Sequence, residues 1–424
     1  MCKILFLSTS NLTTNPRMLK EIEYYSSKGH NAHVICFDLN NWSEKIDKSW
    51  MDLHLNISVT KISAKRKPFI KWFISSSLEW FYKKIYFIFQ KSIKINSYAS
   101  TKRSFLLKNF LSKSKYSFDY IIAHNIGTLY PAWYLSQKNN IPFFFDVEDY
   151  YPGEYIINDS INEKNRRLFL LKQLLPKAHL VFYASPQIGK KIISLIGKEL
   201  ITDPILINNC FSFKEFTFNS INKYFSYQIP NLSPNLVHFV WFSQNISSKR
   251  GLELIIPELA RIKEKIHLHL IGDLNLSFNK NWIEPNKEFI SIYSPKSQNE
   301  LNQFICQFDI GLAFELPTID ENRNICLTNK IWAFLQAGLF ILATDTSAQV
   351  EFIKNHSFHG ILCSRIANRK IQLVKQQSIL PIDKSLEYIK NNIENIRQSK
   401  LQRFNNAKKL SWEIESTKLD KIFN

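Results

Sequence analysis

The sequence predicts an α/β protein with two doubly wound domains that face each other across a cleft. Apolar runs rich in Ile, Val and Phe alternate with segments of helical period, which is typical of parallel sheets with crossover helices. This alternation stops near residue 210 and starts again at residue 237. The chain of 424 residues is long enough for two domains with full-sized cores. Such sheets bind ligands outside the carboxyl ends of their strands, so we expect the site there.

The first half begins with an unbroken apolar run that predicts a buried strand, and Pro16 then suits the first turn of a helix. Further runs of this kind follow, separated by helical segments. The predicted strands are 3–8, 32–37, 120–123, 142–146, 178–184 and 204–208, and the predicted helices are 16–28, 129–137, 162–175 and 186–196.

The second half repeats the pattern, and Gly338 lies where a helix is expected to end in a left-handed residue. The predicted strands are 237–242, 266–271, 290–293, 310–314 and 340–343, and the predicted helices are 251–263, 298–306, 328–337 and 349–355, with a helical tail from 383.

Four regions follow from this pattern. We predict a first domain over 1–210 and a linker over 211–236, where Phe, Ser, Asn and two prolines show no period. A second domain follows over 237–383. The residues 384–424 are expected to form helices that pack back on the first domain.

The charge of the chain is unevenly distributed. Of the net charge of +19, residues 61–115 hold fourteen Lys or Arg and one acid, Glu79. A basic surface favours anionic partners. The six cysteines form no CxxC pair, which argues against a zinc site or a disulfide framework. The apolar run at the N-terminus is too short for a signal sequence, so we expect a cytoplasmic protein.

Three stretches of the second half have the residue types of an anion and sugar site. Lys249 and Arg250 lie at a strand-to-helix junction, where a phosphate could be held, although a solvated loop is an equal alternative. Gly272 closes an apolar strand. Glu315 ends another strand, and a predicted helix then begins at Thr328, the predicted N-cap. A carboxylate for sugar hydroxyls beside a phosphate cradle is the layout that a nucleotide-sugar site needs.

In these stretches the second half resembles the donor domain of GT-B glycosyltransferases, particularly the retaining enzymes of family 4. The matching residues are Lys249, Arg250, Gly251, Gly272, Glu315, Asn329, Lys330, Ala337 and Gly338. The resemblance implies catalytic roles for Glu315, Arg250 and Lys330, and a nucleoside diphosphate sugar as the donor. It implies donor-binding roles for Gln244, Lys249, Gly272, Leu327, Thr328 and Asn329. No metal and no cofactor are implied.

One position departs from that family's pattern. Its members commonly carry a second Glu a few residues after Asn-Lys, contacting the donor ribose, and Ala333 occupies this place. Recognition of the ribose is therefore left open.

The first half resembles the acceptor domain of the same fold. The matching residues are Asn15 and Arg17 in the first strand-to-helix loop, His124 at a strand end, and Glu148 and Asp149 after another strand. Many relatives have a His where Glu148 stands. For His124 and Arg17, a purely structural role in the domain is an equal alternative to acceptor binding.

The basic segment 61–115 also contains many aromatic residues, as interfacial helices do. Lysines interrupt every apolar run, so the segment cannot span a bilayer. We expect it to contact an anionic membrane surface. The alternative is a pair of amphipathic helices whose aromatics belong to the core. No signature of a nucleic-acid-binding fold accompanies them.

Together these observations predict a glycosyltransferase that moves a sugar from a nucleoside diphosphate sugar to a lipid-linked or glycan acceptor in bacterial surface polysaccharide biosynthesis. The resemblance implies a retaining, metal-independent reaction in the cytoplasm, at the inner face of the cell membrane. Two alternatives remain: a GT-B nucleotide-sugar epimerase, and a non-catalytic sugar-binding or scaffold protein.

Overall fold

The structure is a computed structural model that describes residues 1–40, 43–67, 69–114, 117–198, 204–216, 232–316, 320–364, 372–374 and 377–423. The chain divides into two compact units. The first comprises Met1–Asn208 and Ser416–Asn424, and the second comprises Asn209–Glu415. Of the predicted linker 211–236, residues 217–231 lie outside the described residues.

A seven-stranded sheet forms the centre of the first unit, in the order β3-β2-β1-β4-β5-β6-β7. All its neighbouring strands are parallel. The apolar runs of β1, β4 and β5 are buried. The strands are β1 Lys3–Ser8, β2 Asn31–Asp38, β3 Ser58–Ser63, β4 Tyr120–His124, β5 Phe143–Val147, β6 Leu180–Tyr183 and β7 Ile205–Leu206.

Eight α-helices connect these strands. The first begins as its sequence predicts, because the Asn15 side chain accepts a hydrogen bond from the backbone N–H of Met18 and Pro16 occupies the first turn. The helices are α1 Pro16–Ser27, α2 Glu44–Leu53, α3 Phe69–Ile85, α4 Ile93–Ser100, α5 Lys102–Lys113, α6 Ile126–Asn139, α7 Ser160–Leu174 and α8 Pro186–Ile196.

The second unit contains an eight-stranded sheet in the order β10-β9-β8-β11-β12-β13-β15-β14. Its strands are parallel except for the antiparallel pair β14 and β15. The strands are β8 Val237–Ile246, β9 Ile266–Leu274, β10 Ile290–Tyr293, β11 Ile310–Ala313, β12 Phe340–Thr344, β13 Gly360–Cys363, β14 Gln372–Val374 and β15 Gln377–Leu380. Both sheets are doubly wound, which confirms the predicted fold class.

Ten α-helices belong to the described part of the second unit. Gly338 follows α13 with a φ of 70°, as predicted for a left-handed helix end. The helices are α9 Leu252–Ala260, α10 Leu276–Phe278, α11 Gln298–Ile305, α12 Glu321–Ile325, α13 Asn329–Gln336, α14 Ser347–Asn355, α15 Ile382–Asn391, α16 Ile393–Gln398, α17 Lys400–Ala407 and α18 Trp412–Glu415.

The C-terminal region corrects one prediction. Residues 384–424 were expected to pack as a whole on the first domain, but those up to Glu415 belong to the second unit. Leu386 and Ile389 join the apolar cluster on one face of the second sheet, and Phe404 joins the cluster on the other face. The 3₁₀ helix Ser416–Phe423 packs on the first unit instead. This division follows from where each segment's apolar side chains are buried.

Two further observations concern the whole described chain. None of the six cysteines, all of which lie in the described part of the chain, forms a disulfide, and most of them are buried. Among the described residues, no helix is both long and apolar enough to cross a membrane.

Candidate functional site

The candidate donor site lies at the carboxyl edge of the second sheet. The strands β9 and β10 are added on one side of β8, and the strands from β11 onward are added on its other side. Ligands of doubly wound sheets bind at the point where the order of strands reverses in this way, here between β8 and β11. Glu315 follows β11 at this edge, and the turn that contains Arg250 follows β8. The residues predicted from the sequence are therefore brought to one edge of one sheet.

Glu315 and Lys330 form an ion pair with 2.8 Å between Oε1 and Nζ. Only 6% of the Glu315 side chain and 11% of the Lys330 side chain are exposed. The backbone N–H of Glu315 donates to Oγ1 of Thr344, which fixes the strand end, and the Lys330 ammonium lies over the Trp241 ring. A carboxylate and an ammonium are thus held together, largely out of water, at the start of α13.

The turn after β8 contacts the end of β11, just before Glu315. Gly251 has a φ of 88°, and a Cβ atom there would lie 2.9 Å from Cβ of Phe314. Lys249 also has a positive φ, of 66°, and is exposed. A glycine is required at position 251 because the turn and the end of β11 touch.

Arg250 is partly buried beside two other charged side chains. Burial and the positive charge of Arg323 lower the pKa of Arg250, and the negative charge of Glu315 opposes this shift. Nη1 of Arg323 donates to the backbone oxygen of Lys249 at 3.0 Å. Arg323 therefore adds a second cation to this edge. Arg323 was not predicted as a site residue, although its position in the polar stretch after Glu315 was an available signal.

The end of β9 also approaches β8 closely. Gly272 has a φ of 146°, and a Cβ atom there would lie only 2.2 Å from the backbone oxygen of Ser243. The register of β8 and β9 shifts between Phe242 and Asn245, and β8 continues to Ile246. Gln244 therefore lies within an extended strand, exposed, rather than in the loop that the sequence predicted.

The helix α13 begins at Asn329, as predicted, with Thr328 at the N-cap position. The Thr328 side chain makes no capping hydrogen bond, and its Oγ1 is buried without a hydrogen-bond partner. Leu327 packs in the core, and Oδ1 of Asn329 accepts from Asn209 at 2.9 Å. The first backbone N–H groups of α13 point out of the helix end beside Lys330, an arrangement suited to an anion.

Ala333 is fully buried in the apolar cluster on one face of the second sheet. It has no polar atom to offer a ribose. If this chain binds a nucleotide, other residues must contact the ribose.

In the first unit the predicted residues meet in a buried charged group, here called the Arg17 cluster: Arg17, Glu21, His124, Asp146 and Glu148. The side chains come from α1 and from the carboxyl ends of β4 and β5. Four of them are almost fully buried, and Glu148, with 22% of its side chain exposed, connects the group to solvent.

The contacts within the Arg17 cluster are short. Arg17 donates through Nε to Asp146 and through Nη1 to the backbone oxygen of Ile207, the latter at 2.6 Å. His124 has Glu148 at 2.7 Å from Nδ1 and Glu21 at 3.3 Å from Nε2. Nδ2 of Asn15 also donates to Glu148, at 2.7 Å. The structure thus brings Asn15, Arg17, His124 and Glu148 together as one network.

Proton positions in this network follow from its charges. Burial alone lowers the pKa of His124, but Glu21 and Glu148 outweigh it and raise that pKa to about 10. Burial raises the pKa of Asp146 to about 8, against the opposing charge of Arg17. Burial would also raise the pKa of Glu21, but His124 and Arg17 lower it. The raised pKa of His124 therefore favours its protonated form near neutral pH.

Two members of the cluster, Glu21 and Asp146, were not predicted as site residues. The spacing of Glu21 four residues after Arg17 on α1 was an available signal. Within the described residues, Glu21, His124 and Asp146 also offer oxygen and nitrogen atoms within 4.8 Å of one another. They fit a metal poorly, because Arg17 already donates a hydrogen bond to Asp146 and a cation there would face the guanidinium.

The adjoining edge of the first sheet is polar as well. Thr9 follows β1, and its backbone N–H and hydroxyl both donate to Oδ1 of Asn125 after β4. Asn125 has a φ of 64°, and Arg103 donates to the backbone oxygen of Thr9. Strand order reverses between β1 and β4, and doubly wound sheets bind ligands at such a point. We call the residues that follow β1 and β4 the acceptor edge, after the role predicted for this half of the chain.

Comparison with known proteins identifies the fold through structure alone. No family model matches the chain, and a search of curated proteins finds no sequence match. Solved structures do match over the whole chain. A sucrose-phosphate synthase from Thermosynechococcus elongatus superposes with a TM-score of 0.67 at 12% identity, covering 100% of this chain and 98% of that chain.

Two further structures agree. HepE of Anabaena in complex with UDP-glucose gives a TM-score of 0.64 at 15% identity, covering 100% of this chain and 99% of that chain. WaaG, a glycosyltransferase involved in lipopolysaccharide biosynthesis, gives 0.60 at 9% identity, covering 99% of each chain. The chain has the GT-B fold.

A protein that is named for a different activity, epimerisation, also has a similar fold. A putative UDP-N-acetylglucosamine 2-epimerase from Listeria monocytogenes gives a TM-score of 0.55 at 9% identity, covering 99% of this chain and 94% of that chain. The fold alone therefore does not decide between transfer and epimerisation.

Proposed function

We propose that this protein is a retaining, metal-independent glycosyltransferase that uses a nucleoside diphosphate sugar. The observation that carries the proposal is the Glu315–Lys330 ion pair at the start of α13, with Arg250 and Arg323 on the same edge. The names of the structural neighbours support it, since HepE was solved with UDP-glucose and WaaG is named a glycosyltransferase.

The charges on this edge suit the departure of a nucleoside diphosphate. As the glycosidic bond breaks, negative charge develops on the β-phosphate, where Arg250, Lys330 and the N–H groups of α13 would stabilise it. Lys330 is paired with Glu315, and Nε of Arg323 lies 3.4 Å from Asp320. Arg250 therefore supplies the main uncompensated positive charge among the described residues of this edge. Glu315 would accept hydrogen bonds from sugar hydroxyls.

The retaining route needs no nucleophile from the protein. The departing phosphate oxygen would take the proton from the acceptor hydroxyl, and the acceptor oxygen would form its bond to the anomeric carbon on the same face. On the acceptor side, Glu148 is the partly exposed member of the Arg17 cluster, held by His124 and Asn15. It would orient the acceptor hydroxyl, together with neighbouring Asp149.

For the biological role we propose the assembly of a bacterial surface polysaccharide on a lipid-linked or glycan acceptor. This places the protein in the cytoplasm, at the inner face of the membrane. The basic segment 61–115 supports an anionic membrane as the partner. WaaG, named for lipopolysaccharide biosynthesis, is a structural neighbour.

One observation favours a second function, epimerisation of the nucleotide sugar. The His124–Glu148 pair could exchange a proton with a sugar carbon, and an epimerase has the same fold. Incubation of the donor alone separates the two functions. An epimerised sugar, with proton exchange from solvent, indicates the epimerase, whereas an unchanged donor that is consumed only with an acceptor indicates the transferase.

The donor site can be tested by thermal shift with UDP, GDP, TDP and CMP sugars at millimolar concentration. One donor should raise the melting temperature of the wild type and have little effect on Arg250→Ala. Arg261→Ala is the matched control, because Arg261 is an exposed arginine at the far end of the next helix. No shift with any nucleotide would overturn the proposal and favour a non-catalytic sugar-binding or scaffold protein.

A further inference from the structure

The outward face of α3 is apolar. Its exposed side chains are large, with Ile70 73% and Trp80 63% exposed. We call this face the α3 stripe: Phe69, Ile70, Phe73, Ile74, Trp80 and Phe81. At about 100° per residue these positions fall within one arc of about 140°. The alternative prediction, in which the aromatics of this segment belong to the core, is therefore wrong for the four aromatic members of the stripe.

The inward face of the same helix carries several polar contacts beside the half-buried side chains of Trp72, Leu78, Tyr82 and Ile85. Ser75 is buried, and Oγ of Ser76 accepts from Nζ of Lys102 at 2.9 Å. Glu79 accepts from the backbone N–H of Lys102 and pairs with Lys83, both at 2.7 Å. These polar contacts and the packing of the Tyr82 ring on Tyr98 fix the helix to its unit, while the α3 stripe faces outward.

The exposed apolar surface continues past the end of α3. Phe87, Ile88 and Phe89 are 61%, 75% and 53% exposed. An outward apolar surface of this length is unusual for a protein that meets only water, and such patches mark contact sites.

The charge around the α3 stripe identifies the kind of partner. Arg66, Lys67, Lys84 and Lys91 are exposed near it, and the one acid of the segment, Glu79, is already bound to Lys83 and Lys102. A second copy of this chain would bring the same positive charges together. An anionic lipid surface instead offers both apolar depth for the stripe and negative charge for the cations.

The α3 stripe is also tied to the acceptor edge. Lys102 contacts Ser76 and lies over the Trp72 ring at 5.1 Å, and the next residue, Arg103, donates to the backbone oxygen of Thr9. The outward helix and the ends of β1 and β4 are therefore linked through two consecutive residues of α5.

We infer that the α3 stripe inserts into the headgroup and acyl boundary of an anionic monolayer, and so presents the acceptor edge to a lipid-linked acceptor. This inference rests on the proposed function for the identity of the acceptor. It adds which face of the protein binds the membrane and how that face binds. Because apolar side chains enter the lipid, part of the binding persists when salt screens the charges.

The test is cosedimentation with vesicles of phosphatidylcholine mixed with phosphatidylglycerol. The double variant Phe73→Ser/Ile74→Ser should bind about tenfold or more weakly, because two apolar side chains no longer enter the lipid. The double variant Ile157→Ser/Ile161→Ser is the matched control: both residues are exposed isoleucines of the same unit, outside the stripe. It should bind like the wild type.

Three results would overturn the inference: equal binding of the stripe variant and the wild type, complete loss of wild-type binding at high salt, or a wild-type dimer that the stripe variant breaks. The thermal shift by nucleotide sugars, measured on the same proteins, separates this failure from a failure of the donor site. A stripe variant that loses vesicles but keeps the donor shift supports the inference.

Discussion

Nδ1 of His124 lies 2.7 Å from Oε1 of Glu148, at the end of the fourth strand. The opposite nitrogen of the same ring faces Glu21 at 3.3 Å. The ring therefore sits between two carboxylates, and both favour its charged form. Glu148, the partly exposed carboxylate, is oriented by a cation that is itself buried.

This arrangement predicts a loss of stability in alkali. The pKa of His124 rises from 6.5 to about 10 in the folded protein, so its stabilisation is complete below pH 6.5 and is lost as the pH rises through about 10. His124→Gln should remove that pH dependence, which amounts to a few kcal/mol. Urea unfolding between about pH 6.5 and 10 measures it. Parallel pH curves for wild type and variant would contradict the assignment.

The buried ion pair of the second unit predicts strong coupling between its members. Lys330→Met leaves the Glu315 carboxylate buried and uncompensated, and should lower the free energy of unfolding by about 3 kcal/mol. The double variant Lys330→Met/Glu315→Leu should lose less than the sum of the two single variants. Denaturant unfolding of all four proteins completes the cycle. Additive losses would show that the pair is not coupled.

Gly272 is expected to tolerate no side chain. Gly272→Ala places a Cβ atom 2.2 Å from the backbone oxygen of Ser243, at a φ of 146°. The loss of stability should be about 2 kcal/mol or more. Gly29→Ala is the control, because Gly29 has a φ of 83° but nothing within 4 Å of its Cβ position. It should lose only about 1 kcal/mol, from backbone strain alone. Thermal unfolding of both variants tests the difference.

Three neighbouring histidines of the second unit lead us to predict that acid lowers the stability of the folded protein. Nε2 of His269 faces Nδ1 of His238 at 3.0 Å, its Nδ1 faces the Tyr293 hydroxyl at 3.0 Å, and its ring lies near His267. Burial and the two neighbouring histidines lower the pKa of His269 from 6.5 to about 2. The unfolded chain therefore binds more protons, and stability falls as the pH drops below 6.5.

His269→Gln should reduce this acid sensitivity. The measurement is the difference in melting temperature between about pH 7 and pH 4.5 for wild type and variant. His54→Gln, a change at a more exposed histidine, is the control and should behave like the wild type. An unchanged difference in His269→Gln would show that other groups govern acid unfolding.

Much of the fold followed from the sequence because apolar runs and helix caps are local signals. The prediction of β1 at 3–8 agrees with Lys3–Ser8, and Gly338 ends its helix as expected. The strand β8 was predicted to end at residue 242 but continues to Ile246, because the register shift after Phe242 depends on contact with β9. For the aromatics of α3 the sequence left two possibilities open, an outward face and the core, since its pattern does not show which side meets the domain.

Only part of each candidate site was predicted, namely the residues that a local pattern marks. Glu315 and Lys330 stand at a strand end and a helix start, and both positions are readable from the pattern. Glu21 and Asp146 are brought to His124 only by the packing of α1 against the sheet. These contacts with His124 join residues more than twenty positions apart in the chain, so the spacing of Arg17 and Glu21 on α1 was a local signal for their ion pair but not for the whole cluster.

The path of the chain has a consequence for its synthesis. The hydroxyls of Tyr24 and Tyr25 bind Asp420 and the backbone oxygen of Leu419, in a segment that is made only after the whole second unit. Domains generally fold as units during translation, N-terminal first. Here the first unit stays unfinished while the ribosome produces some two hundred further residues. We therefore expect the tyrosine face of the nascent α1 to be a binding site for chaperones until Leu419 and Asp420 emerge.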